Sequence, residues 1–309
     1  MTNPKSVAIL GGGAWGTTLA TLAIANGHEV RLWSRRSSQT LGEITQGTDI
    51  VVSAVSMKGV RAVTSRMQSL PVSPETIFVT ATKGLDPETT CTPSQIWQET
   101  FPSHSIVVLS GPNLSKEIDQ NLPAATVVAS QNMAAAELVQ VVLSSSRFRV
   151  YTNFDPLGVE LGGTLKNVIA IAAGVCDGLH LGTNAKAALV TRGLTEMVRV
   201  GTHWGAKMET FYGLSGLGDL LATCNSHLSR NYQVGYQLGC GKTLTEILDH
   251  LEGTAEGINT TKVLVQRAKQ HTIPIPITEQ VHRLLENEIT PRQALEELML
   301  RDRKPEFHW

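Results

Sequence analysis

The stretch VAILGGGAWG, residues 7–16, joins a short apolar run directly to a set of spaced glycines. Gly11, Gly13 and Gly16 have the GxGxxG spacing, between a predicted strand and a predicted helix, which is the context of a dinucleotide-binding turn. The first glycine allows the tight turn, the second lets a pyrophosphate approach the backbone, and the third lets the helix pack closely on the strand. A merely flexible turn is the alternative, and the place of the motif at the end of the first strand favours the cofactor.

The segments that follow alternate between strand and helix patterns. Residues 16–26 are rich in Ala, Leu and Thr and are closed by Gly27, which predicts the first crossover helix. Trp15 is interpreted either as a core anchor or as a surface that lies against the cofactor. Further strands are predicted at residues 29–33, 50–55, 76–81, 106–110 and 126–129. This alternation predicts an α/β domain over residues 1–154, with a Rossmann-like and mostly parallel sheet.

The second half of the chain has a different pattern. From about Asp155 the strand pattern fades, and apolar residues recur with helical spacing at residues 158–176, 185–201, 244–250, 260–269 and 277–285. The sequence therefore predicts an all-helical substrate and catalytic domain over residues 155–309. No linker separates the two domains, so we expect a cleft where they meet.

Composition argues against several classes of function. The 26 basic and 27 acidic residues give a net charge of −1, so no overall field attracts nucleic acid or an anionic membrane surface. The four cysteines lie far apart without metal-ligand spacing, which suits reduced thiols and predicts no metal site. No apolar stretch approaches the roughly 18 residues of a spanning helix, and there is no signal core, so we expect a cytoplasmic protein without membrane insertion. The oligomeric state stays open, with a homodimer among the possibilities.

The segment GGTLKNVIA, residues 162–170, places a lysine in an apolar helix. Because burying an ammonium ion is unfavourable, Lys166 is expected either on the helix surface or facing a polar site. Gly162 and Gly163 remove bulk one turn earlier, which favours the polar site. In a cleft, the pKa of Lys166 would fall toward the working pH, and the side chain could then exchange a proton with a substrate.

Three other segments carry polar groups that are candidates for a ligand site. Lys83 follows a predicted strand at its carboxyl end, where open α/β sheets bind ligands. Asp219 lies in GLGDL, residues 216–220, and the segment SRN, residues 229–231, offers compact donors for a phosphate. Taken singly, Asp219 could equally be a turn residue and Arg230 a surface charge.

The chain resembles the bacterial-type NAD(P)-dependent glycerol-3-phosphate dehydrogenases over nearly its whole length. The matching segments, in order, are GGGAWGTTLA (11–20), ATKGL (81–85), SGPNLSKE (110–117), GGTLKNVIAIAAG (162–174), GLSGLGDLLATC (213–224), SRN (229–231) and AEG (255–257). The glycine motif alone is common, but this ordered set is specific. The resemblance implies reversible hydride transfer between a nicotinamide cofactor and C2 of dihydroxyacetone phosphate or sn-glycerol 3-phosphate, at the entry to glycerophospholipid synthesis.

The resemblance also implies roles for individual residues. Lys166 is the catalytic acid/base, with Lys83 and Asp219 beside it, since a lysine ammonium can stabilise and then protonate the oxyanion that forms when a ketone accepts hydride. The implied substrate contacts are Lys83, Gly111, Asn113, Lys166, Asn167, Asp219, Ser229, Arg230 and Asn231. The implied cofactor contacts are Gly11, Gly13, Trp15, Gly16, Lys83, Ser115, Arg230, Thr254 and Glu256.

Two features depart from the family pattern. Thr254 and Ala255 stand where the family usually has a valine or a similar residue before the glutamate. Residues 37–48 must form the whole crossover between the second and third strands, which is about the minimum length for a βαβ connection. One short helix just fits there, so we expect thinner cover over the adenosine end of the cofactor.

The segment VRLWSRRSS, residues 30–38, ends the second strand with basic residues. NAD-specific folds carry an acidic residue there for the ribose 2′-hydroxyl, whereas this chain has Ser34, Arg35 and Arg36 and no acid before Glu43. A guanidinium pairs with a phosphate through two charge-assisted hydrogen bonds, so NADP(H) is the expected preference, with NAD(H) still usable. Two solvated arginines are the alternative.

Two rival functions stay open at this point. Another two-domain dehydrogenase, acting on 6-phosphogluconate or a 3-hydroxy acid, would share the glycine turn but not the ordered segments around Lys166 and Asp219. A non-catalytic NADP sensor would have no need for a lysine, an aspartate and an arginine that converge on one cleft.

Overall fold

The computed structural model of the protein describes residues 3–303 and 305–306. Within these residues, the strands are β1 (Ser6–Leu10), β2 (Glu29–Trp33), β3 (Ile50–Ser53), β4 (Ile77–Thr80), β5 (Ile106–Ser110), β6 (Ala124–Ala129) and β7 (Phe148–Asn153). They form one sheet in the order β2-β1-β3-β4-β5-β6-β7. Every neighbouring pair is parallel except β5 and β6. The predicted mostly parallel, Rossmann-like sheet is therefore confirmed.

Helices lie on both faces of this sheet. They are α1 (Ala14–Ala25), α2 (Leu41–Thr45), α3 (Met57–Gln68), α4 (Pro93–Thr100), α5 (Ser115–Asp119) and α6 (Met133–Leu143). One apolar core packs α1 and α6 against the sheet, and a second packs α3 and α4 against the opposite face. Burial on both faces explains why β3, β4 and β5 are almost continuously apolar in sequence.

The short crossover after β2 holds one helix, α2, of five residues. Thr40 and Glu43 form a capping box at its start. Arg31 ties the helix to the sheet, because its guanidinium donates to the carbonyl oxygens of Glu43 at 3.1 Å and Gln46 at 2.9 Å. A basic residue of β2 thus has a structural role here.

The rest of the chain is helical. Its helices are α7 (Pro156–Gly178), α8 (Gly182–His203), α9 (Asp219–Cys224), α10 (Arg230–Gly239), α11 (Leu244–His250), α12 (Glu256–His271), α13 (Pro276–Leu285) and α14 (Pro291–Met299). A 3₁₀ turn, Met208–Tyr212, and a π-helical turn, Leu214–Gly218, lie between α8 and α9. Since β7 ends at Asn153 and α7 begins at Pro156, the change from the sheet to helices falls near residue 155, as expected. The division into two domains, 1–154 and 155–309, stays a prediction.

Helix α7 is the central helix of the helical half. Asp155 caps it by accepting a hydrogen bond from the backbone N–H of Gly158 at 3.0 Å. By length and composition α7 could cross a membrane. The expectation that no apolar stretch approaches the length of a membrane-spanning helix was therefore wrong. The valines, leucines, isoleucines and alanines of α7 raise the mean hydropathy although Lys166 interrupts the apolar run. The helix is 94% buried within the protein over this apolar window, as a core helix is.

Helix α10 packs unusually close to α7. A Cβ atom on Gly235 would lie 1.8 Å from the carbonyl oxygen of Ile171, and one on Gly174 would lie 2.2 Å from the carbonyl oxygen of Tyr232. Only glycine permits this approach. The contact brings the N-terminal end of α10 alongside the part of α7 that carries Lys166 and Asn167.

Candidate active site

The glycine turn lies between the carboxyl end of β1 and the start of α1. Gly11 has φ +124°, and a Cβ atom there would lie 2.6 Å from the carbonyl oxygen of Ala54, so the tight turn requires glycine. A Cβ atom on Gly16 would lie 1.9 Å from the carbonyl oxygen of Gly11, which explains the close packing of helix on strand. Among the described residues, apart from the immediate chain neighbours of Gly13, no atom lies within 4 Å of its Cβ position, so the backbone there is open to a ligand.

The geometry of this turn fits a dinucleotide. Helix α1 has no side-chain cap at its N-terminus, so the first N–H groups of a 12-residue helix point into the open space beside Gly13. The chain leaves β1 toward β2 on one side and returns to β3 on the other, and ligands of open α/β sheets bind at such a switch point. Trp15 is half-buried and packs against the core beneath α1.

The turn after β2 adjoins the glycine turn. A Cβ atom on Gly12 would lie 3.1 Å from the Cβ atom of Ser34. The backbone N–H of Ser34 is fixed by the hydroxyl of Ser37 at 2.8 Å. Arg35 and Arg36 are exposed, and neither forms an ion pair within residues 3–303. Both guanidinium groups therefore remain available to an anion beside the glycine turn.

Lys83, Lys166 and Asp219 meet in the cleft between the two halves. Lys83 Nζ lies 2.5 Å from Asp219 Oδ2, and Lys166 Nζ lies 2.8 Å from Asp219 Oδ1. Lys166 also donates to the hydroxyl of Thr223 at 2.5 Å, and Lys83 donates to the carbonyl oxygen of Gly111 at 3.2 Å. One carboxylate is shared by two ammonium groups, so the cluster has a net positive charge when both lysines are protonated.

The environment of this cluster changes its pKa values. Burial lowers the pKa of Lys166 to about 8, and the charge of Lys83 acts in the same direction, while Asp219 opposes them. Burial alone would raise the pKa of Asp219, but the charges and hydrogen bonds of Lys166 and Lys83 hold it below its usual range. Lys166 can thus release a proton near neutral pH, whereas Asp219 stays ionised.

Two glycines of α7 make room for the cluster. A Cβ atom on Gly162 would lie 2.8 Å from the carbonyl oxygen of Ser215, so this glycine admits the π-helical turn that precedes Asp219. A Cβ atom on Gly163 would lie 2.2 Å from Ser110 Oγ and 3.3 Å from Lys83 Cε. The small residues one turn before Lys166 therefore leave room for Asp219 and Lys83 beside the Lys166 side chain.

The loop after β5 borders the same cleft. Gly111 has φ +153°, and a Cβ atom there would lie 3.0 Å from the backbone of Thr126, so glycine is required. The Nδ2 group of Asn113 donates to the hydroxyl of Thr126 at 2.9 Å, whereas its Oδ1 atom is buried with no hydrogen-bond partner in the described residues. Ser115, the next predicted contact, is half-buried and begins α5.

The SRN segment lies at the N-terminal end of α10. Ser229 caps this helix by accepting from the backbone N–H of Tyr232 at 3.2 Å. Asn231 donates from Nδ2 to Asn167 Oδ1 at 2.9 Å and accepts from the backbone N–H of Gly257 at 2.9 Å. Asn231 thus has a structural role besides the predicted one, and it keeps one Nδ2 hydrogen for a ligand.

Arg230, Thr254 and Glu256 lie at the N-terminal ends of α10 and α12. The exposed guanidinium of Arg230 donates to the carbonyl oxygen of Thr254 at 3.4 Å. Glu256 Oε1 accepts from the backbone N–H of Met57, at the start of α3, at 3.1 Å. Burial raises the pKa of Glu256 against the effect of this hydrogen bond. This contact connects the helical half to the sheet half across the cleft.

Sequence reasoning missed two hydroxyl groups of the site. Thr223 contacts both Lys166 and Asp219, and its spacing of four residues from Asp219 on α9 was the signal that places both on one helix face. Thr164 accepts from the backbone N–H of Gly84 at 3.1 Å, and no local pattern indicates it because its partner is 80 residues away.

Comparisons with known proteins agree with this geometry. A family model described as NAD-dependent glycerol-3-phosphate dehydrogenase C-terminus matches residues 155–296, and its N-terminus counterpart matches residues 6–46 and 38–136. The glycerol-3-phosphate dehydrogenase (NAD(P)+) of a Nostoc species is 75% identical over 98% of this chain and 99% of its own length. That of a Synechocystis species is 61% identical over 98% and 96%. The solved glycerol-3-phosphate dehydrogenase of Coxiella burnetii has a TM-score of 0.92, with 37% identity, 96% of this chain covered and 99% of its own.

Proposed function

Since the chain belongs to the NAD-dependent glycerol-3-phosphate dehydrogenase family, we propose that Lys166 is the proton donor with which it reduces dihydroxyacetone phosphate to sn-glycerol 3-phosphate. The chain is an oxidoreductase that uses NADP(H) or NAD(H), and its product supplies glycerophospholipid synthesis. Family membership decides against a 6-phosphogluconate or 3-hydroxy acid dehydrogenase and against a non-catalytic NADP sensor.

The observation that carries the proposal is the position of Lys166. Its ammonium group is buried in the cleft, beside an ionised Asp219, with a pKa of about 8. A general acid works best when its pKa lies near the operating pH, because it is then protonated yet gives up its proton readily. The two carboxylate oxygens of Asp219 fix the two lysines relative to each other.

The reaction needs a hydride and a proton. When bound, the reduced nicotinamide supplies the hydride to C2 of the substrate ketone. Lys166 donates the proton to the C2 oxygen and becomes neutral, and it regains a proton from solvent before the next turnover. Lys83 and protonated Lys166 place positive charge where the oxygen becomes negative, which stabilises the transition state. Asp219 keeps Lys166 oriented throughout.

The substrate phosphate is assigned to the N-terminal end of α10. Support comes from the 10-residue helix itself, whose N-terminus favours anions, and from the exposed guanidinium of Arg230. The remaining Nδ2 hydrogens of Asn231 and Asn167 complete a polar surface beside Lys166. Because α10 packs so closely on α7, the phosphate and the reacting carbonyl group would be held at a fixed spacing.

The cofactor is assigned to the glycine turn, with its 2′-phosphate, when present, at Arg35 and Arg36. Ser34 borders this position, and the open backbone at Gly13 faces the pyrophosphate. At the nicotinamide end, the assignment rests on Lys83, Ser115, Thr254 and Glu256. We propose a cytoplasmic enzyme, and light scattering of the purified chain distinguishes a homodimer from other oligomeric states.

Cofactor oxidation with dihydroxyacetone phosphate as the sole acceptor tests this proposal. We expect turnover with NADPH and with NADH, and loss of turnover with either cofactor in Lys166→Met. A Lys242→Met variant is a suitable control, because Lys242 is exposed and bonds only to Gln237 within the described residues. Turnover by Lys166→Met close to that of the wild type contradicts the assigned role.

A further inference from the structure

Two side chains of the helical half hold the backbone that directly follows Lys83. Thr164, on α7, accepts a hydrogen bond from the N–H of Gly84 at 3.1 Å. Asn259, on α12, donates from Nδ2 to the carbonyl oxygen of Leu85 at 2.9 Å. The peptide unit before Gly84 and the peptide unit after Leu85 are therefore bonded to helices, while Lys83 itself belongs to the loop that leaves the sheet.

This loop needs such bonds to keep one conformation. Gly84 has φ +151°, and a glycine loses more conformational freedom on ordering than any other residue. Thr82, the residue before Lys83, is bonded to the sheet half, because its hydroxyl donates to the carbonyl oxygen of Val55 at 2.8 Å. Beyond Lys83, Thr164 and Asn259 provide the only side-chain bonds to Gly84 and Leu85 in the described residues.

The position of this backbone determines where the Lys83 ammonium group lies. Its side chain spans the cleft to Asp219 at 2.5 Å and to the carbonyl oxygen of Gly111 at 3.2 Å. A lysine has a flexible stem, so its site of action is set by its anchored backbone and its two partners. Thr164 is fully buried and lies two residues before Lys166 on the same helix, so one helix turn carries both the proton donor and the anchor of Lys83.

We propose that Thr164 and Asn259 are positioning residues for the reduction, which act on it only by holding Lys83 against Asp219. The proposal rests on the function proposed above for Lys83. Neither side chain forms a hydrogen bond with Lys166 or Asp219 in the described residues, so we expect the effect on catalysis to pass through the loop.

A double-mutant cycle with Lys83→Ala tests this directly. Thr164→Val removes the hydroxyl while keeping the shape, and Asn259→Ala removes the donor at a half-exposed position that tolerates the change. We expect each to lower kcat/KM for dihydroxyacetone phosphate by roughly tenfold, less than the ~10²-fold that a 1 Å misplacement can cause. In the Lys83→Ala background we expect the same changes to have no further effect, because the group that they position is gone.

Two controls separate positioning from general destabilisation. Thr164→Ser keeps the hydroxyl and should restore most of the lost kcat/KM. Thr64→Val removes a buried hydroxyl that donates only to the carbonyl oxygen of Arg61 within the described part of α3, and should leave kcat/KM unchanged.

The pH profile gives a readout that a merely structural role does not move. The charged and titratable groups that face Lys166 are Asp219, Lys83 and the Cys224 thiol. If Lys83 shifts away in Thr164→Val, its repulsion of the Lys166 ammonium weakens, so the alkaline limb of kcat should move to higher pH.

Distinct results overturn the two proposals. If Lys83→Ala alone keeps wild-type kcat/KM, the role of Lys83 fails. Suppose that Lys83→Ala lowers kcat/KM, but Thr164→Val or Asn259→Ala lowers kcat/KM by the same factor in the wild type and in the Lys83→Ala variant. The positioning role then fails, while the role of Lys83 stands.

Discussion

Replacing Asp219 by asparagine removes the charge that holds both lysines and keeps the shape of the side chain. Asp219 is buried and accepts from Lys83 and Lys166, one on each carboxylate oxygen. Asparagine offers one acceptor oxygen, and its amide group presents donors toward an ammonium ion. In Asp219→Asn one lysine therefore loses its partner and faces like charge.

The magnitude follows from the loss of a buried ionic partner. Removing one member of such a pair typically destabilises a protein by about 3–5 kcal/mol. Lys166 can avoid part of this by losing its proton, since its pKa is already lowered to about 8 by burial and now lacks the opposing effect of Asp219. We therefore expect a loss of about 2–4 kcal/mol at neutral pH, the lower end reflecting that release.

The sign of the pH dependence is fixed by the two pKa shifts. The pKa of Asp219 lies below its unfolded value, so its stabilisation is present above about pH 4 and is lost as the pH falls through the folded value. The stability difference between wild type and Asp219→Asn should therefore shrink in acid. Conversely, the lowered pKa of Lys166 in the variant means that its protonated form, and with it dihydroxyacetone phosphate reduction, recovers as the pH is lowered.

Initial rates of NADPH oxidation from about pH 5 to about pH 10 test the expected pH dependence of activity, and thermal denaturation tests the expected loss of stability. We expect kcat of Asp219→Asn to fall by roughly 10²-fold near neutral pH, as for loss of a positioned acid, with the optimum displaced toward acid. Asp249→Asn is the matched control, because Asp249 is an exposed residue of α11. A wild-type kcat with an unchanged alkaline limb in Asp219→Asn would show that Asp219 does not hold Lys166 in its protonated, catalytic form.

Three further changes probe the rest of the site. The double variant Arg35→Ala, Arg36→Ala should lower kcat/KM for NADPH by about tenfold or more and leave kcat/KM for NADH unchanged. A charge-assisted hydrogen bond contributes at least ~1.4 kcal/mol, which corresponds to a tenfold change in kcat/KM. An equal loss of kcat/KM with both cofactors argues against recognition of the 2′-phosphate. Asn231→Asp keeps the acceptor for the backbone N–H of Gly257, but it loses the donor to Asn167 Oδ1 and repels a phosphate. KM for dihydroxyacetone phosphate should therefore rise, and the melting temperature should fall because a buried hydrogen bond is lost; an unchanged KM places the phosphate elsewhere. Gly16→Ala should destabilise the fold by about 1–3 kcal/mol through overpacking, whereas Gly13→Ala should keep stability and weaken only cofactor binding, both measured by denaturation and cofactor titration.

Local signals in the sequence were sufficient where one segment decides its own structure. The bounds of β2, β5 and α11 agree with the predicted segments, and the short helix after β2 is present as expected. Strand β7 was missed, because it is an edge strand whose apolar inward residues are few and alternate with Arg149 and Tyr151. Its preceding serine run, residues 144–146, reads as a loop in sequence.

Contacts between distant segments could not be derived from spacing. Lys83 and Asp219 are 136 residues apart, and the packing of the helical half against the sheet brings them together through the contact of α7 with β5 and β6. Asp219 taken by itself could equally be a turn residue or a functional residue, and the ordered family motifs were needed to identify it as a site residue. The structural role of Asn231 could not be predicted for the same reason, since its hydrogen-bond partners, Asn167 and Gly257, lie on other helices.

The central claim is that Lys166 gives the proton to the substrate oxygen, and kcat of Lys166→Met measured alongside its affinity for NADPH tests it most directly. Methionine keeps most of the length and apolar stem of lysine and removes only the ammonium group. We expect a fall in kcat of at least about 10²-fold, the lower end for losing a positioned acid, with NADPH affinity unchanged. A kcat close to that of the wild type, with the cofactor bound normally, would contradict it.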